Sequence, residues 1–215
     1  MKKITLFFVI LLGTCPSTKA QNLFNDEVKG IENTYANLPL DASPIVFTGS
    51  SSVRLWKNLA LVFNNTNIIN TGFGGSTAKD LLIFHKPLIT RFKPAQVFIY
   101  EGDNDLFEGV SPRKVLATTK KIIRKIKRDN KETKIVLIAV KPSLSRWSLK
   151  DKYLKLNKKF QRFSHRKSQV SFADVWAPML ENKALKEDLF ISDGLHMNQK
   201  GYQLWEQVIG PLILK

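Results

Sequence analysis

The sequence predicts an α/β protein, a three-layer α/β/α sandwich built around a five-stranded parallel sheet. Two observations carry that expectation. Short apolar runs alternate with longer stretches whose apolar residues recur at helical spacing. Ile135 to Val140, moreover, is a continuous apolar and β-branched run, as a strand covered on both faces requires. The 215 residues show no internal repeat, low-complexity tract or evident linker, and 43% hydrophobic content suits one domain with a sizeable core.

Lys2 and Lys3 precede an apolar run, Ile4 to Leu12, and Thr18 and Ala20 frame a cleavage point. This reads as a secretory leader over residues 1–20, too short for a membrane-spanning helix, ahead of a single domain over 21–215. The expected location is therefore secreted or periplasmic after cleavage near Ala20. Cys15 is the only cysteine and falls inside that leader, which leaves the mature domain without thiol or disulfide chemistry. The rival reading makes Leu12-Gly13-Thr14-Cys15 a lipoprotein box, with Thr14 an unfavourable residue before the acylated cysteine.

Residues Phe24 to Tyr35 form an amphipathic N-terminal helix, and Pro39 and Pro44 lead into a first strand over Ile45 to Phe47. A short helix through Leu55 and Trp56 connects to a second strand, Asn67 to Asn70. Ala78 to Phe84 is helical, with Pro87 and Pro94 breaking the pattern before strand three, Gln96 to Tyr100. The helix expected over 114–128 places Val115, Ile122, Ile123 and Ile126 on one stripe, with its lysines and arginines largely elsewhere. After the fourth strand, Leu149, Tyr153, Leu156, Phe160 and Phe163 step by four and three, a packed helix. Val170 to Phe172 is a weaker fifth strand, and Asn198 to Leu212 closes the chain as a helix.

Four polar segments interrupt this pattern. Thr48-Gly49-Ser50-Ser51-Ser52, Thr71-Gly72-Phe73-Gly74-Gly75-Ser76 and Glu101-Gly102-Asp103-Asn104-Asp105 each follow one of the first three strands, and Asp193-Gly194-Leu195-His196 lies near the end. In an open parallel sheet, loops beyond the carboxyl ends of the strands converge on one crevice. A serine hydroxyl needs a base within reach and a third group to orient that base, roles that Ser51, His196 and Asp193 can fill. Of the other histidines, His85 sits at a helix end and His165 among basic surface residues. Taken singly, Asp193 reads as a helix cap, His196 as a surface histidine, and the glycine segments as a βα loop and an Asx turn. Their ordered occurrence at successive strand ends points instead to acyl transfer.

At these residues the chain resembles the SGNH hydrolases, the GDSL esterase/lipase family. The family's Gly-Asp-Ser block matches Gly49, Ser50 and Ser51, with Ser50 in place of the usual Asp, so that three consecutive serines compete for the nucleophile's place. Ser51 holds the family's serine position, five residues before Trp56. The second block matches Gly75, with Gly74 as an alternative register; the third, Gly-x-Asn-Asp, matches Gly102 to Asp105; the last, Asp-x-x-His, matches Asp193 and His196. The resemblance implies a flavodoxin-like sheet of order 2-1-3-4-5. It further implies catalysis by Ser51, Asp193 and His196, an oxyanion hole from the Ser51 and Gly75 amides and the Asn104 side chain, and no metal or organic cofactor.

Other chemistries fit less well. Gly72 to Thr77 lacks a Walker lysine, and neither His-Glu-x-x-His nor Cys-x-x-Cys occurs. Asp103 and Asp105 read as turn acceptors rather than metal ligands. The formal charge of +16 is lopsided: residues Arg113 to Lys167 hold 20 Lys/Arg against Asp129, Glu132 and Asp151. That segment reads as a solvated face able to make weak contact with anionic surfaces, lies outside the four blocks, and carries no nucleic-acid signature. The expectation is an esterase for small acyl esters, leaning toward acetylated carbohydrate. Lysophospholipid or thioester cleavage, or non-catalytic polyanion binding, are the alternatives.

Overall fold

The computed structural model describes residues 24–39, 43–65 and 67–214. The expected leader, its cleavage site and Cys15 lie outside the described residues. A five-stranded sheet runs in the order β2-β1-β3-β4-β5, built from β1 (Ile45–Gly49), β2 (Ile68–Gly72), β3 (Gln96–Tyr100), β4 (Lys134–Ile138) and β5 (Val170–Ala173). Every pairing in it is parallel. The three-layer α/β/α sandwich expected from the sequence is the fold observed.

Alternation along the strands divides the core in two. Val46, Ile69, Val97, Ile99, Ile135 and Leu137 project to one face; Ile45, Phe47, Ile68, Phe98, Tyr100 and Val136 project to the other. Phe47 and Phe98 are register partners on neighbouring strands, and their rings stack at 4.2 Å. The first face is covered by α1 (Asn25–Thr34), α3 (Ala78–Ile83), α5 (Pro112–Asp129) and α6 (Lys150–Ser164). The second is covered by α2 (Ser51–Arg54) and α7 (Gln199–Ile209), whose Trp205 and Ile209 are fully buried. Between them, α4 (Asp103–Phe107) sits at the carboxyl end of β3.

Local chemistry explains the starts of these helices. Thr77 and Asp80 form a reciprocal capping box on α3, while Ser111 caps α5 ahead of Pro112 at its first position. Along α5 the buried stripe is Val115, Thr119, Ile122, Ile123 and Ile126, with Lys120, Lys121 and Arg124 outside.

Several expectations shift in detail. β1 and β2 extend through Gly49 and Gly72, so the first polar segments begin inside the sheet. β4 ends at Ile138, and the backbone of Val140 is satisfied instead by Asn157, which accepts from its N–H at 2.8 Å and donates to its carbonyl at 2.9 Å. The segment after β3, which taken singly reads as an Asx turn, opens a helix, α4. An unexpected two-stranded hairpin pairs Leu180–Glu181 with Ala184–Leu185. No helix among the described residues is long and apolar enough to cross a membrane.

Candidate active site

At the carboxyl edge of the sheet, β1 turns sharply into α2. Gly49 makes that turn possible: its φ is +130°, and a Cβ there would stand 2.0 Å from the carbonyl oxygen of Tyr100. Ser50 takes an extended conformation and Ser51 opens the helix, so that the three serines face different surroundings. Ser50 and Ser52 are buried, Ser52 with its hydroxyl against Tyr100. Ser51 alone of the three reaches a histidine.

His196 Nε2 lies 2.9 Å from Ser51 Oγ, and His196 Nδ1 lies 2.5 Å from Asp193 Oδ2. The other carboxylate oxygen, Oδ1, accepts the backbone N–H groups of Leu195 at 2.8 Å and His196 at 2.9 Å. Desolvation opposes the Asp193 charge, but these donors outweigh it and hold its carboxyl at a pKa of about 2. An ionised Asp193 therefore orients the imidazole with Nε2 toward Ser51. The loop is pinned from outside as well, since Ser145 N–H donates to the Gly194 carbonyl at 3.1 Å and Lys141 Nζ to that of Leu195 at 2.6 Å.

The two glycine candidates separate cleanly. Gly74 N–H donates to both carboxylate oxygens of Glu27 at 3.1 Å, an acid in the first turn of α1 that also meets Arg54 at 3.5 Å. Gly75 is exposed, with φ +74° and open space where a Cβ would point. Asn104, the second residue of α4, donates from Nδ2 to the Ser76 carbonyl at 2.8 Å and accepts at Oδ1 from Arg146 Nη1 at 3.0 Å. The amide nitrogen carries two hydrogens, and Ser76 takes one.

Three bonds in all join the Gly75 segment to the Asn104 segment. Ser76 Oγ donates to Glu101 Oε1 at 2.8 Å, and Asp105 Oδ2 accepts from Ala78 N–H at 3.0 Å. Asn104 to Ser76 is the third. Both acids are buried. Burial and the neighbouring Asp105 push the Glu101 carboxyl well up, and its Oε2 has no partner among the described residues. Burial raises Asp105 to about 6.

Asp103 is the hub of a second network. It accepts from Tyr153 at 2.5 Å, Arg146 at 2.7 Å and Tyr100 at 3.3 Å, with the ammonium of Lys141 at 4.0 Å. Lys141 is fully buried, and burial lowers its pKa against the pull of Asp103. These two cations correct the reading of the basic segment: Arg113 to Lys167 does not lie wholly outside the site, because its loop 141–146 folds back under it. Sequence reasoning missed Glu27, Glu101, Lys141 and Arg146. Only Lys141 carried a local signal, a lysine directly after an apolar run. Asp103 and Asp105 serve as structural acceptors, and among the described residues no group of His, Cys, Asp or Glu could hold a metal ion. His85 bonds the Leu82 carbonyl at 2.8 Å and His165 is exposed, both away from Ser51.

A parallel α/β sandwich with Ser, His and Asp aligned beyond its strand ends defines the class of ester-hydrolysing serine enzymes with a flavodoxin-like sheet. The chain belongs to the GDSL-like lipase/acylhydrolase family, whose model matches residues 44–204. Solved structures share the fold. A Streptococcus pneumoniae protein provisionally described as a platelet activating factor is 23% identical, covers 91% of this chain and 97% of its own, and superposes with a TM-score of 0.76. A GDSL-like lipase from Bacteroides thetaiotaomicron is 24% identical, with 89% and 96% covered and a TM-score of 0.72. A Geobacillus acetyl-xylooligosaccharide esterase is 16% identical, with 80% and 95% covered and a TM-score of 0.68. A curated relative, the N-acylneuraminate cytidylyltransferase of Escherichia coli, is 28% identical over 181 residues; these are 80% of this chain but 40% of that one.

Proposed function

We propose that this protein is a secreted or periplasmic serine esterase that removes short acyl groups, acetyl first among them, through an acyl-serine intermediate. The observation that carries the reading is the aligned Ser51, His196 and Asp193. His196 takes the Ser51 proton as Oγ attacks the ester carbonyl, then returns it to the leaving alcohol; a water activated by the same imidazole releases the acid. The Ser51 and Gly75 amides and the free Asn104 hydrogen stabilise the oxyanion.

A small acyl group fits the exposure of the site. Ser51 is only half-buried and Gly75 is exposed, so substrate meets an open crevice rather than a deep acyl channel. Exposed Phe107 on α4 and Leu144 beside Gly194 offer apolar contact near it. The likeness to the Geobacillus enzyme makes acetylated sugars the first substrates to try. A groove of about 460 Å³ lined by Lys120, Arg124, Lys127, Lys167 and Phe163 lies between α5 and α6 and supports weak attraction to anionic surfaces.

The test is turnover of p-nitrophenyl esters of increasing chain length beside acetylated oligosaccharides, with cell fractionation of the native chain. Fastest cleavage of long acyl chains overturns the short-acyl reading, and retention in the cytoplasm overturns the location.

A further inference from the structure

We propose that Arg146 is a positioning residue that fixes which end of the Asn104 amide faces the crevice, an inference that rests on Asn104 being an oxyanion donor. The two ends of an asparagine amide are nearly equal in size, so packing alone does not choose between them; hydrogen bonding does. A guanidinium has donors and no acceptor. With Arg146 Nη1 3.0 Å from one end of the amide, that end is oxygen, and the NH2 turns toward the Ser76 carbonyl and the reacting centre.

Arg146 is itself held where it can do this. Its Nη1 donates to Asp103 Oδ1 at 2.7 Å, its guanidinium carbon lies 4.2 Å from the centre of the Phe107 ring, and its side chain is 11% exposed. Burial works against its charge, but the adjacent Asp103 outweighs burial and raises its pKa. The charged donor has a second effect: it draws electron density from the amide oxygen and leaves the Nδ2 hydrogens more acidic, which matters most as negative charge develops on the substrate. Lys141 extends the anchor, lying beside Asp103 and bonding the carbonyl of Leu195, the residue before His196. The parts of the site nearest Asn104 and His196 thus share one carboxylate.

The test is a double-mutant cycle on p-nitrophenyl acetate with wild type, Arg146→Met, Asn104→Ala and the combination. Losing a charge-assisted bond that acts in the transition state should lower kcat by about 10- to 100-fold in Arg146→Met, with KM nearly unchanged. In the Asn104→Ala background the same substitution should cost less than about twofold more, because no amide remains to be positioned. Millimolar methylguanidinium should restore kcat to Arg146→Ala but not to the Arg146→Ala/Asn104→Ala pair. Equal losses in both backgrounds would overturn the proposal, since they are what a general weakening of the fold produces. Should Arg146→Met not fold, Arg146→Lys carries the same cycle, with the same non-additivity expected and the same additivity fatal. A wild-type kcat in Asn104→Ala alone would show that the oxyanion reading has failed, and a non-additive cycle could not then arise.

Discussion

His196 Nε2 stands 2.9 Å from Ser51 Oγ across 145 residues of chain. The bond joins the start of α2, on the first strand's exit, to a loop reached only after all five strands are in place. Of the three consecutive serines, Ser51 is the one within reach of His196.

An active-site fluorophosphonate should label Ser51, and Ser51→Ala should abolish both labelling and ester turnover while leaving the far-UV circular dichroism unchanged. Mass spectrometry of the modified peptide distinguishes the three serines. Adduct on Ser50 or Ser52 would reassign the nucleophile.

His196→Ala should be nearly as damaging as Ser51→Ala, and the double variant no worse than either, because the two act as one unit. Asp193→Asn should retain more activity: the backbone N–H groups of Leu195 and His196 still hold position 193 through its carbonyl oxygen, while the imidazole loses its anionic partner. Steady-state kcat/KM of the three variants checks the order.

Asn104→Ala should lower kcat by about 10² to 10³, the usual cost of one oxyanion donor, with little change in KM. A rise in KM alone would make Asn104 a ground-state contact.

The buried acids between the two oxyanion segments give a pH dependence of stability opposite in sign to that of a salt-bridged carboxylate. The folded pKa of Asp105, about 6, is above its ordinary 3.8, so between these values the native state binds more protons than the unfolded state. Its contribution is fully present below about pH 4 and is lost as pH rises through about 6. Glu101 shifts in the same direction. Urea midpoints from pH 4 to 7 should fall more for wild type than for Asp105→Asn, which keeps an acceptor for Ala78 N–H without the titrating proton; parallel curves would refute the assignment.

Neutralising Lys120, Lys121, Arg124 and Lys125 together should leave p-nitrophenyl acetate hydrolysis near wild type and weaken binding to anionic vesicles at low salt. These side chains lie on the outer face of α5, and exposed charges act over a Debye length of only about 8 Å in physiological salt. Unchanged binding would leave them as a solvated face. A large loss on the neutral ester would mean that α5 shapes the site.

The order of elements was legible in the sequence because it depends on local periodicity. Gln96 to Tyr100 is a strand with the bounds its apolar run implies, and the α5 stripe Val115, Ile122, Ile123 and Ile126 is buried as its spacing requires. Family blocks mark Ser51, Asp193 and His196, and these stand aligned in the structure, so that much of the site was legible too. What surrounds them was decided by tertiary structure alone. Glu27 reaches Gly74 from 47 residues away, Arg146 meets Asn104 from 42, and Tyr153 meets Asp103 from 50. Such pairings leave no periodic trace: a lysine or arginine bound for a buried carboxylate looks, in a basic stretch, like its solvated neighbours. Arg113 to Lys167 determined its charge by composition, but only the return of loop 141–146 beneath α4 decided that Lys141 and Arg146 would be spent on the site, because burying either cation is favourable only where Asp103 is already waiting.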